Sequence, residues 1–382
     1  MIEGPRPVRP NEYRSLLKLV NRTFIGSPGE RGMESLYPWH LSSENRRNLW
    51  VTVENGKVVS HVGVSKRALA VDGVRIPLGL MSAVATDPAY RGAGLASRII
   101  EVLRSRHDRE GLDLYFISGD RGLYRRIGAV PVGRRLHFVL TPAALGLFAH
   151  PDVSFRPAGP RDLAAIAALH AREPVRILRP VADFRRVFRA GWAVLSPARF
   201  FVAEAGGRVT AYFVAGVTRK AGGPQSGRLV VVEHAGSRTD LLAALHAACL
   251  AWGKRRVELT VSPHERESLA LLSGRHLGER HVPVYDAIAI LNLERLIRRL
   301  RPVLAKRAGP AGRRLEGGEF NFKPFLALGA SRVAVPREVM TRLIFGEPTR
   351  DRPPGVRADG ALGRVLRAGF PIPLANPGIS YV

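Results

Sequence analysis

The stretch Val84-Ala85-Thr86-Asp87-Pro88-Ala89-Tyr90-Arg91-Gly92-Ala93-Gly94-Leu95-Ala96 changes character halfway along. An apolar run ending in Val84-Ala85 gives way to a proline turn, then to two glycines, then to an amphipathic helix from Leu95 to about Arg106. Glycines at such a junction let backbone approach a ligand with no Cβ in the way. The unpaired N–H groups of a helix's first turn, with the positive end of its dipole, form an anion site. A lone Gly-x-Gly before a helix also serves a loop that merely needs positive φ, so the flanks carry the weight. Upstream, Leu49 to Val53 and Val58 to Val64 flank Asn55-Gly56, the pair best suited to a type I′ hairpin turn, and Asp72-Gly73 separates Leu69-Ala70-Val71 from a strand through Leu80 to Val84. Before them, Pro7-Val8-Arg9 reads as extended, Asn11 as a helix N-cap, and Leu16, Leu17, Leu19, Val20 and Phe24 fall at helical spacing. Downstream come a strand from Leu112 to Ile117 and a short helix around Leu123 to Ile127, closed by Gly128-Ala129.

The same order of elements recurs. Phe155-Arg156-Pro157 precedes a helix from Leu163 to His170, and Phe200 to Ala203 pairs with Val209 to Val214 across Gly206-Gly207. A strand from Leu229 to Glu233, a helix from Thr239 to Trp252, and strands from Val257 to Val261 and Val284 to Leu291 complete a second copy. The spacing points to an α/β (α+β) chain built by tandem duplication of one mixed-sheet unit. The units are expected at 1–150 and 151–291, with a small α+β module at 292–382. That module opens with a basic helix (Leu293 to Arg307), continues with an apolar strand (Phe320 to Leu328) and a helix (Pro336 to Phe345), and ends in a Pro-rich tail whose apolar residues predict packing.

Tyr90-Arg91-Gly92-Ala93-Gly94-Leu95-Ala96 after Val84-Ala85-Thr86-Asp87-Pro88, followed by Gly122-Leu123-Tyr124-Arg125-Arg126-Ile127-Gly128-Ala129, closely resembles the GNAT superfamily of acetyl-CoA-dependent N-acetyltransferases. The resemblance implies transfer of acetyl from acetyl-CoA directly to a primary amine, on a small molecule or a lysine side chain, through a tetrahedral intermediate. It implies that Val84 and Ala85 offer backbone groups to the pantetheine arm. Arg91, Gly92, Ala93, Gly94, Leu95 and Ala96 would hold the pyrophosphate, and Tyr124 would protonate the departing thiolate. Two such units and a short terminal module resemble the enhanced intracellular survival acetyltransferases, whose third module is sterol-carrier-protein-like. In that family the chain's terminal carboxylate acts as general base, which would here belong to Val382, and self-association into a homo-oligomer is expected. The second copy reads Glu233-His234-Ala235-Gly236-Ser237-Arg238-Thr239-Asp240 where a phosphate loop would stand. Its carboxylates would repel a pyrophosphate, so that unit is expected to shape the acceptor pocket.

Among 382 residues, 46% are hydrophobic and 24% charged, which excludes a disordered or fibrous chain. No apolar run reaches the ~20 residues of a membrane span. The N-terminus lacks the pattern of a secretory signal, so a cytoplasmic protein is expected. One cysteine, Cys249, excludes an internal disulfide framework, and no metal-ligand spacing occurs. The net charge of +27 comes largely from arginine, with only seven lysines, and is spread along the chain. The cluster Arg295, Arg298, Arg299, Arg301, Lys306, Arg307, Arg313 and Arg314 reads as a solvated helix face, which makes nucleic acid an unlikely partner; a polyanion-binding protein and a non-catalytic acyl-CoA binder are the alternatives. His40, His61 and Asp120 are further candidates for the base.

Overall fold

Asn55-Gly56 and Asp72-Gly73 all take left-handed φ, from +47° to +86°, as type I′ turns require. They fold Leu49–Glu54, Lys57–Val71 and Val74–Thr86 into an antiparallel meander. The computed structural model describes residues 2–25, 31–193, 196–216, 227–274, 278–282, 284–346, 358 and 360–381, with backbone alone at 196, 278–281 and 285. Ile2–Pro7 pairs with Leu49–Glu54 at one edge of the meander. Leu114–Ile117 joins its other side in parallel. Two helices cover this sheet. Tyr13–Phe24 lies on the face of Val51, Val53, Ala83 and Ala85, and Leu95–Arg109 on the face of Trp50, Val62, Met81 and Val84.

The helix expected after Asn11 begins at Tyr13, but Asn11 does not cap it. No side chain caps it; Glu12 instead reaches back, accepting the Arg9 N–H (2.9 Å) and one bond from each of Arg6 Nη1 and Nη2 (2.8 and 2.7 Å), and so fixes the turn that leads into the helix. The second copy repeats this device. Asp162 accepts the Gly159 N–H and two bonds from Arg156, at the same six-residue separation. This agreement between copies in a polar contact supports the duplication beyond the shared order of elements.

The strand pairing crosses the boundary expected at 150. Tyr285–Ile290, late in the second copy, pairs antiparallel with Leu114–Ile117 in the first sheet. Arg135–Leu140, from the first copy, pairs with Arg256–Val261 in the second sheet. Val175–Leu178 adds to Lys57–Val71. The second copy thus supplies two strands to the first eight-stranded sheet, and the first copy supplies one to the second. A strand's alternation is the same whichever partner it finds, so local pattern could not reveal the exchange.

The terminal module holds the helix Leu293–Arg313, a three-stranded antiparallel sheet and the helices Arg337–Phe345 and Gly360–Gly369. The single strand expected over 320–328 is a hairpin. Asn321 and Phe322, at φ +48° and +62°, turn Glu316–Phe320 onto Lys323–Leu328. Much of the basic cluster works internally. Arg295 and Arg299 pair with the fully buried Asp113 (2.6 and 2.7 Å) and so fasten the module to the first unit, while Arg307 donates to the Pro371 carbonyl (2.7 Å) within the module and ties the tail to its helix. The tail runs inward: Phe370, Ile372, Leu374, Ala375 and Ile379 are buried in the central core, as its composition led one to expect.

Candidate active site

The parallel pairing of Val74–Thr86 with Leu114–Ile117 runs from Leu78 opposite Leu114 to Met81 opposite Ile117, and there it stops. The Ser118 N–H donates a last bond to the Met81 carbonyl (3.2 Å). Beyond it the strands separate, with the Ser82 and Ser118 hydroxyls 3.1 Å apart across the opening. Two local features drive the separation. Ala83 sits at φ +53°, a strained conformation for alanine, where the pairing with Lys57–Val71 slips by one residue between His61 and Gly63. His61 holds the bulge, its Nδ1–H donating to the Ala83 carbonyl (2.7 Å), which leaves the ring proton on Nδ1. On the other strand Gly119, at φ +100°, turns away with its N–H on Asp286 Oδ2 (2.7 Å).

The glycine loop follows the bulged strand. Asp87 accepts the Ala89 N–H (3.2 Å), and bonds from Lys57 and Arg22 hold its carboxyl well below the usual range. Gly92 and Gly94 stand at φ +85° and +71°, with no atom within 4 Å of where a Cβ would point. The helix starts at Leu95, and Arg98 donates back to the Gly94 carbonyl (3.0 Å). The N–H groups of Leu95, Ala96 and Ser97 precede that bond, as in the first turn of any helix. Arg91 to Gly94 are exposed, Leu95 is buried and Ala96 half-buried. The result is an open cradle of positive-φ backbone at the positive end of a 15-residue helix, which suits a phosphate or pyrophosphate.

Where the strands part lies a cavity of about 250 Å³, lined by Ser82, Ala83, Val84, Ser118, Gly119, Arg121, Tyr124, Asp286 and Tyr381, with Phe24, Met33 and Tyr37 closing it. Tyr124, on the short helix Gly122–Arg125, is 2% exposed, and burial pushes its phenol up to about 12. Val84 and Tyr124 therefore share one cavity, and the loop Arg91–Ala96 follows the same bulged strand. The Ala85 methyl faces the opposite core, leaving only its backbone for a ligand. Tyr381 enters from the tail and donates to Asp286 Oδ2 (2.8 Å). Val382 lies outside the described residues.

The other candidates sit elsewhere. His40 and His61 are fully buried behind the bulge and do not line the cavity; burial lowers them to about 3 and about 4. Asp120 is engaged by Arg125 (3.1 and 2.7 Å). Cys249 is buried on its helix, and burial pushes its thiol up to about 11. In the second copy Glu233 is no loop residue. It is buried inside a strand, and its carboxylate is paired with Arg179 (2.8 Å). The following helix has no glycine cradle. Ser237 caps it by accepting the Asp240 N–H (3.3 Å), and a Cβ on Gly236 would lie 2.3 Å from the Thr210 carbonyl.

Asp286 and Tyr381 went unrecognised in the sequence. Asp286 is one carboxylate in the apolar strand Tyr285–Ile290, and that lone charge is the signal that could have singled it out. No helix among the described residues is long and apolar enough to cross a membrane.

Residues 5–132 match the family model described as an acetyltransferase (GNAT) domain. Over the whole chain the fold is similar to that of a GCN5-related N-acetyltransferase from Kribbella flavida, at 17% identity and a TM-score of 0.66, covering 98% of each chain. It is also similar to a GCN5-related N-acetyltransferase from Anabaena variabilis ATCC 29413 (12% identity, TM-score 0.68, 99% of this chain and 98% of that one). Eis1 from Mycobacterium abscessus aligns at 14% identity and a TM-score of 0.65, over 98% of this chain and 99% of that one. At these identities the likeness is one of fold. No curated protein matches the sequence. The GNAT fold supports transfer of an acyl group from an acyl-CoA to an acceptor.

Proposed function

We propose that this chain, whose residues 5–132 match the acetyltransferase (GNAT) domain model, moves the acetyl group of acetyl-CoA to a primary amine, on a small molecule or a lysine side chain. The observation that carries this reading is a convergence. An exposed positive-φ loop at a helix N-terminus follows the strand that parts from its neighbour at Met81 and Ile117, and a buried tyrosine lines the cavity where they part. The Arg91–Ala96 loop takes the pyrophosphate on backbone N–H groups. The backbone of Val84 and Ala85, beyond the last parallel pair, offers hydrogen bonds to the pantetheine amides. The acceptor nitrogen attacks the thioester carbonyl, the tetrahedral intermediate collapses, and the CoA thiolate takes its proton from the Tyr124 hydroxyl. The amine's proton passes to the base, for which we propose the Val382 α-carboxylate; Tyr381, one residue before it, already stands in the cavity.

Asp286 adds a feature suited to the acceptor. It is the one carboxylate among the described residues that line this cavity, in a chain of net charge +27. A cationic amine approaching a basic protein needs a local acidic group to hold it. Replacing Asp286 with Asn keeps a side-chain oxygen for Gly119 and Tyr381 but removes the charge. The expected outcome is a KM for a cationic amine raised about tenfold, with a smaller change in kcat, as loss of roughly 1.4 kcal/mol of ground-state binding predicts. An unchanged KM would remove Asp286 from acceptor recognition.

The direct test of the donor site is calorimetric titration with acetyl-CoA, beside the variant Gly92→Glu/Gly94→Glu. Both side chains would be forced into left-handed φ and would place carboxylates at the anion cradle. Micromolar binding by the wild type, abolished in the variant, is the expected outcome. A wild type that ignores acetyl-CoA would sink the acetyltransferase reading. Turnover is then sought by thiol release with tyramine, spermidine and a lysine-containing peptide as acceptors.

A further inference from the structure

We infer that Glu233, deep in the second unit, is a positioning residue for the first unit's active site, because it holds the chain's C-terminal segment in place. This inference rests on the acetyltransferase reading for its catalytic consequence, while the clamp itself stands on the geometry.

Glu233 uses both carboxylate oxygens. Oε1 accepts the Tyr212 hydroxyl (2.7 Å) and one Arg179 N–H (3.1 Å). Oε2 accepts the other Arg179 N–H (2.8 Å) and the backbone N–H of Ile379 (3.0 Å). The last of these bonds belongs to the tail. Glu233, Arg179 and Tyr212 are all buried, so the tail's N–H meets a desolvated carboxylate whose charge Arg179 balances. Burial alone would push that carboxyl up, but the Arg179 guanidinium outweighs it and holds it at about 2, so it stays ionised at working pH.

The tail is shaped to reach this group. Gly378 takes φ +49°, and a Cβ there would lie 2.0 Å from Glu233 Oε2. Asn376 Oδ1 accepts the Gly378 N–H (3.2 Å) and a bond from Arg135 (3.3 Å), fixing the approach. Two residues beyond Ile379, Tyr381 reaches the cavity and bonds Asp286. The clamp also ties the two sheets together, since Arg179 directly follows the strand Val175–Leu178 that pairs into the first sheet. The second copy, whose helix end is already capped, thus uses its buried acidic residue to seat the chain's end at the other copy's site.

The test uses the full chain and three variants: Gly378→Ala, Glu233→Gln, and a chain ending at Ile379. Hydrogen exchange of the tail peptide, acetyl-CoA affinity, and kcat and KM with the best acceptor of the screen are read for each. In Gly378→Ala and Glu233→Gln the tail amides should exchange at least tenfold faster and kcat should fall tenfold or more, while acetyl-CoA affinity stays within about twofold. The shortened chain should show the same kcat loss. Glu233→Gln leaves Arg179 unbalanced, so if it does not fold, Gly378→Ala decides alone, with that ion pair intact. Tail exchange unchanged in Gly378→Ala overturns the clamp. A loosened tail with unchanged kcat overturns its catalytic role. If the wild type binds no acetyl-CoA, the functional reading fails instead, and the exchange result still judges the clamp.

Discussion

Replacing Tyr124 with phenylalanine is expected to lower kcat by roughly 10²–10³-fold while leaving acetyl-CoA affinity within about twofold, the range general-acid catalysis supplies. The ring is part of the core formed by Met81, Val84, Ile99, Ile117 and Ile127, so phenylalanine keeps the packing and removes only the hydroxyl. A phenol pushed up to about 12 stays protonated at every working pH, so the proton is present whenever a thiolate forms. The Tyr124 group itself should therefore contribute no inflection to the kcat–pH profile between pH 6 and 9. Steady-state thiol release on matched wild type and variant is the measurement. Equal kcat values would make Tyr124 a packing residue and shift the search for the acid to Ser82 and Ser118. A loss confined to KM would place it in binding.

Acidification should unfold this protein before its carboxylates are titrated. His40, His61, His107 and His170 are all buried, and burial, the largest cause in each, lowers them to about 3, 4, 4 and 4. Each is held neutral by its setting: His40 against the Ser65 hydroxyl, His107 against the Tyr115 hydroxyl, His61 and His170 against backbone carbonyls. An unfolded histidine takes up its proton near pH 6.5, well before the folded one does. Between about pH 6.5 and 4 the unfolded chain therefore binds more protons, and stability falls as pH falls. Each such histidine withdraws about 1.4 kcal/mol per pH unit, so the four together withdraw up to roughly 5 kcal/mol per unit. That is comparable with the ~5–15 kcal/mol total of an ordinary domain. Glu233 and Asp162, held down at about 2, begin to cost stability only below about pH 4.5, so they deepen the collapse without starting it. Denaturant midpoints at pH 8, 7, 6 and 5 should decline from near pH 6.5 downward. A flat profile from pH 7 to 5 would mean that these sites open to water or repack at little cost.

Much of the first unit was legible because its information is local. Asn55-Gly56 and Asp72-Gly73 can hardly do anything but turn, and Gly92 and Gly94 mark where backbone must take positive φ. A proline turn, an apolar strand before it and an amphipathic helix after it leave little freedom of arrangement. Asn11 failed as a cap because Glu12 answers an arginine six residues back as well as the N–H three residues back, and only the first of those partners depends on the strand's path. Phe320 to Leu328 failed as one strand because Asn321 and Phe322 adopt left-handed φ that neither residue announces strongly.

The amino-acid sequence by itself determined the turns, the glycine cradle, the buried face of each helix and the repeat of one unit, since these depend on backbone sterics and on periodicities of two and 3.6 residues. Only the tertiary structure decided which strand completes which sheet, and with that the arrival of Asp286 beside Tyr124. It also decided that Glu233, which reads as a charge set against phosphate, is a desolvated anchor for Ile379. Strand alternation and residue charge carry no address. The partner is chosen by long-range pairing and by the need of every buried N–H, carbonyl and charge for a counterpart.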